Sequence, residues 1–581
     1  RKGSARWLET HIWHAKRMRM EELWGKKVAG QCHDRGLRSA FRQVTKRVVM
    51  LDASYNDVIQ LEGPEDSLKA AVGRVTCPSE LFRVRSNFVL QGSKAVTSVL
   101  YDDIRDYPFG AVAEVTWMWR PRSKATEMRS LWVIVHPSAT ECAFEILQKH
   151  CQGQTINAEI FSRQLNIFTL MGPKSNEILS MLKLSMLKLD SSSGAKSSAV
   201  FKAVTSASSP AELPDHLILS LTVEDPRLTF PPKNNTRSLL HSPAAQPVRG
   251  YCSNTDSGIW DATTRSTLRD TGTFKSFVND KASAPVPILL VQRPQSSSWG
   301  GKFGSGWHLI VPGGWAMAFW NSLVFAGARP VGQLEMTSIY DECGALHFPR
   351  DFPDTLASEE LYTLLHAEKE SRYLRKPPAK RPNYQKLRID SPFRTRFDSL
   401  FGTRDGEHQE GENPAKKVKT DPEKRNFCVL RHRLLDIFAE ELKAGGVSKI
   451  PGRVLERALI RVSIRPLYRG VPVEAALICG PSDADITKLN DENCSFHGDR
   501  ETLSSKTDSA PSRKVIGYIS SGLFSLVRGR GHATGFVTAM SLREMTLNRK
   551  KNDWLVMTRN PSCPVYRPAL VSIDIGESNV T

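Results

Sequence analysis

Seventeen of the nineteen excess positive charges of this 581-residue chain lie in two short stretches, which leaves the rest nearly neutral and able to collapse into folded cores. Residues 1–47 hold 13 Lys and Arg against 4 Asp and Glu, and residues 371–396 hold 9 against 1. That pattern describes a folded body with two basic grips, and clustered, uncompensated Lys and Arg favour a polyanionic partner. Solvated arms that bind nothing are the alternative for any charge block. The length exceeds what one hydrophobic core supports, so two or three folded units are expected, and 40% apolar residues suffice to build them.

Ten scattered cysteines without a Cys-x-x-Cys pair fit neither a disulfide framework nor a zinc ribbon, and suit a reducing compartment. No signal peptide is expected. The uncharged run of residues 311–328 opens with Val-Pro-Gly-Gly and leaves too few helical residues for the roughly 20 that span a bilayer, so it reads as a buried helix.

Near the start, Trp13, Arg17, Met20 and Trp24 recur at helical spacing between a plausible N-cap, Thr10, and a plausible stop, Gly25. From Arg47 the texture changes to two short strands and a turn ending at Gly63-Pro64. A second strand with a Gly172-Pro173 turn and a helix start follows a hundred residues later, which suggests an internally duplicated α+β domain. Residues 188–212, 231–250 and 292–306 read as surface insertions with little fixed structure. Residues 306–312, 315–328 and 340–355 read as a strand, a helix and an aromatic loop, and 371–426 as a charged linker. Glycines and short strands over 515–537 resemble a small barrel.

Carboxylates that could converge on Mg²⁺ are Asp102-Asp103 and Asp351 with Asp354, but neither pair has a supporting motif, and turn capping is the commoner use. His11, His14, Cys32 and His33 match no zinc module. There is no nucleophile elbow, Walker loop or dinucleotide fingerprint. No catalytic residue, metal or cofactor is therefore expected. What stands out is aromatic and basic interleaving, which suits folded RNA because it offers dense phosphates and unstacked bases together. The candidate RNA-binding residues of the first grip are Arg6, Trp7, His11, Trp13, His14, Lys16, Arg17, Arg19, Lys26, Lys27, Arg35, Arg38, Arg42, Lys46 and Arg47. In the second they are Arg372, Arg375, Lys376, Lys380, Arg381, Lys386 and Arg388, with Arg528 and Arg530 near the end. For the tryptophans, core packing is the alternative.

Arg6-Trp7-Leu8 through His11-Ile12-Trp13-His14-Ala15-Lys16-Arg17, followed by Trp24-Gly25, resembles the N-terminal signature of the largest protein subunit of eukaryotic nuclear ribonuclease P and ribonuclease MRP. Gly306-Trp307, Pro312 to Trp315, Gly327 to Pro330 and Phe348 to Thr355 resemble that family's middle domain, and Gly517 to Gly522 with Ser525 to Gly529 its C-terminal module. A more distant likeness, in the order of the same pieces, is to folate-dependent aminomethyltransferases of the glycine cleavage system. Where those enzymes carry an acidic loop, residues 299–306 here hold no carboxylate.

The resemblance implies an α+β, multidomain, aminomethyltransferase-like core with a basic N-terminal extension and a small C-terminal β-barrel-like domain. Expected segments are 1–47 (basic, aromatic), 48–187 (first α+β unit), 188–305 (second unit with insertions), 306–370 (middle domain), 371–426 (linker) and 427–581, with an insertion at 482–512. It also implies a non-catalytic scaffold that holds the catalytic RNA for removal of the tRNA 5′ leader and for rRNA processing. The implied partners are that RNA, precursor tRNA indirectly and smaller protein subunits, with no membrane, in the nucleus and nucleolus. Lys416-Lys417-Val418-Lys419 agrees with nuclear import. A folate-dependent transferase and a generic basic RNA-binding protein are the competing readings.

Overall fold

In a computed structural model, residues 5–34, 36–122, 128–153, 155–182, 192–232, 256–272, 285–295, 303–402, 425–444, 448–490, 497–501, 513–550 and 553–573 are described. The chain divides into one unit of residues 1–100 with 113–346 and another of 101–112 with 347–581.

The first unit is built on a six-stranded sheet, in the order Ile218–Val223, Val286–Arg293, Gly306–Pro312, Leu165–Met171, Val49–Asp52 and Arg329–Pro330. Its strands read as near-continuous apolar runs because both faces are covered. Alternate residues serve two cores: Leu51, Ile167, Leu289 and Ile310 face Trp132 and Met118, while Met50, Phe168, Leu290 and Leu309 face Trp315 and Trp320. The last two belong to the turn and helix (Ala316–Phe325) that the uncharged run foretold. A five-stranded sheet carries Trp132 and Met118, and its strand Ala111–Trp119 alternates between buried and half-buried positions along its first six residues.

The opening segment is not the long helix that its spacing suggests. Helix covers only His11–Ala15; Met18–Leu23 and Lys26–Cys32 form an antiparallel hairpin, joined on its far edge by Arg6–Trp7 in parallel. Trp24 and Gly25, at φ of 52° and 67°, make the two-residue turn between the strands. Thr10 sits where a cap would, yet its hydroxyl donates to Asp52 instead. Two further expectations fail. Within the Ser- and Ala-rich stretch, Ser192–Ser206 is a helix that places Phe201 and Val204 in a core. Residues 371–402 are packed, not linker: Tyr373, Tyr384 and Phe393 meet pairwise at 5.3 to 5.4 Å, and Phe397 is buried against Phe427 and Phe536. The Lys416 cluster, residues 299–302 and most of the proposed insertion at 231–250 lie outside the described residues.

The second unit contains a closed ring of six strands. Ala458–Pro466 pairs with Arg530–Thr538, then come Val515–Ser525, Leu477–Cys479, Asp553–Arg559 and Val565–Ile573, which returns to Ala458–Pro466. Closure abolishes free edges, and the interior is filled by Ile460, Val462, Ile478, Ile519, Val537 and Val556. The barrel expected from the C-terminal glycines and short strands is thus present. All eight described cysteines are free thiols, and no described helix is long and apolar enough to cross a membrane.

Candidate nucleic-acid interface

Helix Leu37–Lys46 sorts its side chains by pitch. Ala40 and Val44 are buried, whereas Arg38, Arg42 and Lys46, four residues apart, are exposed on the opposite side, and Arg47 follows them into solvent. Lys16, Arg17 and Arg19 form a second exposed group, and the His33 amide donates to the Arg17 carbonyl at 3.4 Å. None of these seven cations has an acidic partner among the described residues. Arg17 is held rather than free to wander: its guanidinium lies 4.4 Å from the centre of the Trp13 ring and donates to the Trp13 carbonyl at 3.1 Å.

Other candidates of the first grip are placed differently. Trp13 is half-buried, edge-on to Trp320 at 5.5 Å. His14 is buried, donates from Nδ1 to the Thr10 carbonyl at 3.0 Å and lies 4.6 Å from Trp320; burial holds its pKa low. His11 is buried too and stacks on Trp7 at 4.1 Å. Lys26 is 7% exposed and is spent on Asp57 at 2.7 Å and the Tyr55 carbonyl, so it braces the core instead of meeting phosphate. Lys27, its neighbour, points the other way and is half-buried. Trp7, unlike Trp13, is widely exposed, at 56%. Arg35 lies outside the described residues.

In the second unit Arg375, Lys376, Lys380 and Lys386 are exposed without an acidic partner among the described residues. Arg372 pairs with Glu368 at 2.6 Å, and Arg381 stacks 5.7 Å over Tyr373 while donating to the Lys376 carbonyl. Arg388 is drawn inward, 3.8 Å from Glu501. Arg530 is exposed and Arg528 half-buried.

The carboxylates considered for metal are committed elsewhere. Asp103 caps the turn Ile104–Asp106 by accepting from the Arg105 amide. Asp351 accepts from the His347 amide at 2.9 Å and pairs with Arg350 at 3.0 Å, with burial more than offset by that cation so that its pKa falls. Asp354 accepts two bonds of 2.6 Å from Arg431 and one from the Val429 amide. Sequence reading missed Arg163, Arg227 and Arg269, which border the same cavity as Arg6 and Trp7 although no motif joins them in the sequence.

Three family models match in chain order: "Ribonucleases P/MRP protein subunit POP1, N-terminal" over residues 1–64, "POPLD (NUC188) domain" over 306–397 and "POP1 C-terminal domain" over 499–575. Among curated proteins, the ribonucleases P/MRP protein subunit POP1 of Homo sapiens is 24% identical over 98% of this chain and 80% of its own length. The protein of the same name from Arabidopsis thaliana is 25% identical over 97% and 84%. Among solved structures, the glycine cleavage system aminomethyltransferase T from Bartonella henselae matches 98% of each chain at 12% identity and a TM-score of 0.47. With three family models in sequence and relatives aligned over nearly its full length, this chain is similar to the POP1 subunits of ribonucleases P/MRP.

Proposed function

We propose that the chain is a non-catalytic, RNA-binding scaffold subunit of ribonuclease P, ribonuclease MRP or both, working in the nucleus and nucleolus. It holds the catalytic RNA in the fold that removes tRNA 5′ leaders and processes rRNA, and offers docking surfaces to smaller subunits. The chemistry belongs to the RNA and its metal ions. The observation that carries this reading is the one-sided stripe of Arg38, Arg42 and Lys46, continued by Arg47, together with Lys16, Arg17 and Arg19, all exposed and without acidic partners among the described residues. Side chains so placed lose little by giving up water and release counterions from a phosphate backbone.

The test is filter binding of transcribed ribonuclease P RNA over a range of salt. Arg38→Ala, Arg42→Ala and Lys46→Ala together should lower the magnitude of the log-log slope by about 2 to 3, at roughly 0.7 to 0.9 per phosphate contact. An unchanged slope, or equal affinity for heparin and for the structured transcript, overturns the reading.

A further inference from the structure

The first unit carries an open cavity of about 720 Å³ whose lining combines surplus positive charge with aromatic faces. Arg6, Arg163, Arg227 and Arg269 all border it. Arg227 is already paired with Asp225 at 2.7 Å and lies 4.6 Å from the centre of the Trp315 ring. Arg163 and Arg269 have no ion-pair partner among the described residues, and the buried Nε of Arg6 has no hydrogen-bond acceptor. Glu9 is the one carboxylate among the described lining, and its two oxygens are taken by the amides of Gly314 at 2.7 Å and Ala316 at 3.1 Å. Burial lowers the Arg6 pKa, and the like charges of Arg163 and Arg269 lower it further, against the pull of Asp57 and Glu9. Three guanidinium groups bordering one cavity, whose one carboxylate among the described lining is already taken by backbone amides, are a site for an anion, because each gains when one enters.

Two other features narrow the anion. Ser322 is 2% exposed, lines the same cavity, and its hydroxyl has no partner, so a polar ligand atom can reach it at no competing cost. Trp7 and Phe230, 56% and 45% exposed, border the cavity and offer flat apolar faces. A ligand with a phosphate and a planar ring satisfies both halves, and the volume falls within the roughly 300 to 1,000 Å³ typical of small-ligand sites.

We propose that this cavity receives an unstacked nucleotide of a single-stranded RNA segment, with its phosphate among Arg6, Arg163 and Arg269 and its base against Trp7. The proposal rests on the RNA-binding reading above and adds to it a receptor for single strands, distinct from the exposed stripe on helix Leu37–Lys46.

Fluorescence anisotropy of the full chain with a random-sequence RNA decamer and with a 20-base-pair RNA duplex tests it. Arg163→Ala with Arg269→Ala, and separately Trp7→Ala, should each weaken decamer binding about tenfold while duplex binding stays within about twofold, since stacking and charge are lost only at the cavity. Trp7 is exposed enough that its variant keeps the fold, which an unchanged melting temperature checks. If the cavity variants bind the decamer normally while the stripe variant weakens duplex binding, this inference falls and the RNA-binding reading stands. If no variant affects either RNA, both fall. Thermal stabilisation by free uridine 5′-monophosphate without decamer binding, or by tetrahydrofolate alone, also overturns it, by assigning the cavity to a free small molecule.

Discussion

Asp354 receives two guanidinium bonds from Arg431 and one amide bond from Val429 while only 3% exposed. Burial by itself would lower the Arg431 pKa, but the carboxylate more than reverses this and the net direction is up. A pair so enclosed contributes little over an apolar replacement, yet losing one member strands the other charge in a low dielectric. Asp354→Asn should therefore cost about 3 to 5 kcal/mol, seen as a lower urea midpoint with an unchanged m-value. A loss below 1 kcal/mol would show that Arg431 finds water or another acceptor. The same logic separates the two neighbours Lys26 and Lys27: the first lies inside the fold against Asp57, the second faces outward, and only the second is available to a ligand.

At the scale of elements, the opening hairpin explains why its sequence reads as helix. A β-bulge falls between Arg19 and Met20, so the strict alternation that marks a strand is interrupted and the spacing of 13, 17, 20 and 24 is left as the visible period. The stop signal at Gly25 is genuine but belongs to a tight turn with left-handed residues, not to a helix end. A Cβ at Gly25 would meet nothing within 4 Å, so the cost of Gly25→Ala is conformational alone, about 1 to 2 kcal/mol. Thermal denaturation should show that loss, and a neutral result would mean the turn relaxes to another type. Ser192–Ser206 escaped notice because Ser and Ala carry no strong periodic signal; its helix is held by the burial of Phe201 and Val204.

Across the whole molecule, one buried and two half-buried histidines make stability depend on pH. His216, His308 and His532 have pKa values lowered to about 3, chiefly by burial and further by nearby arginines. Since an unfolded histidine titrates near 6.5, the unfolded chain takes up protons below that pH while the folded one stays neutral, and stability falls as pH drops from about 6.5 toward 3. Each such group contributes a slope of up to about 1.4 kcal/mol per pH unit. His532 is 3% exposed and bonds Ser463 at 2.8 Å; His532→Gln should make the urea midpoint fall less steeply between pH 6 and 4. Equal slopes would show that His532 is protonated in the native state.

The strand, turn and helix start around Gly172-Pro173, the buried helix after Pro312 and the C-terminal barrel strands were legible because continuous apolar runs and turn residues are local properties. So was the division of charge, since repulsion among clustered cations is already written in composition. Which cations remain available was a tertiary matter: Asp57 neutralises Lys26, Glu501 draws in Arg388, and the pitch of Leu37–Lys46 turns Arg38, Arg42 and Lys46 to one side. The meeting of Arg6, Arg163 and Arg269 at one cavity likewise has no trace in their spacing. Chain folding alone brings distant positions within electrostatic range, and a charge acquires its role from what lies beside it in space.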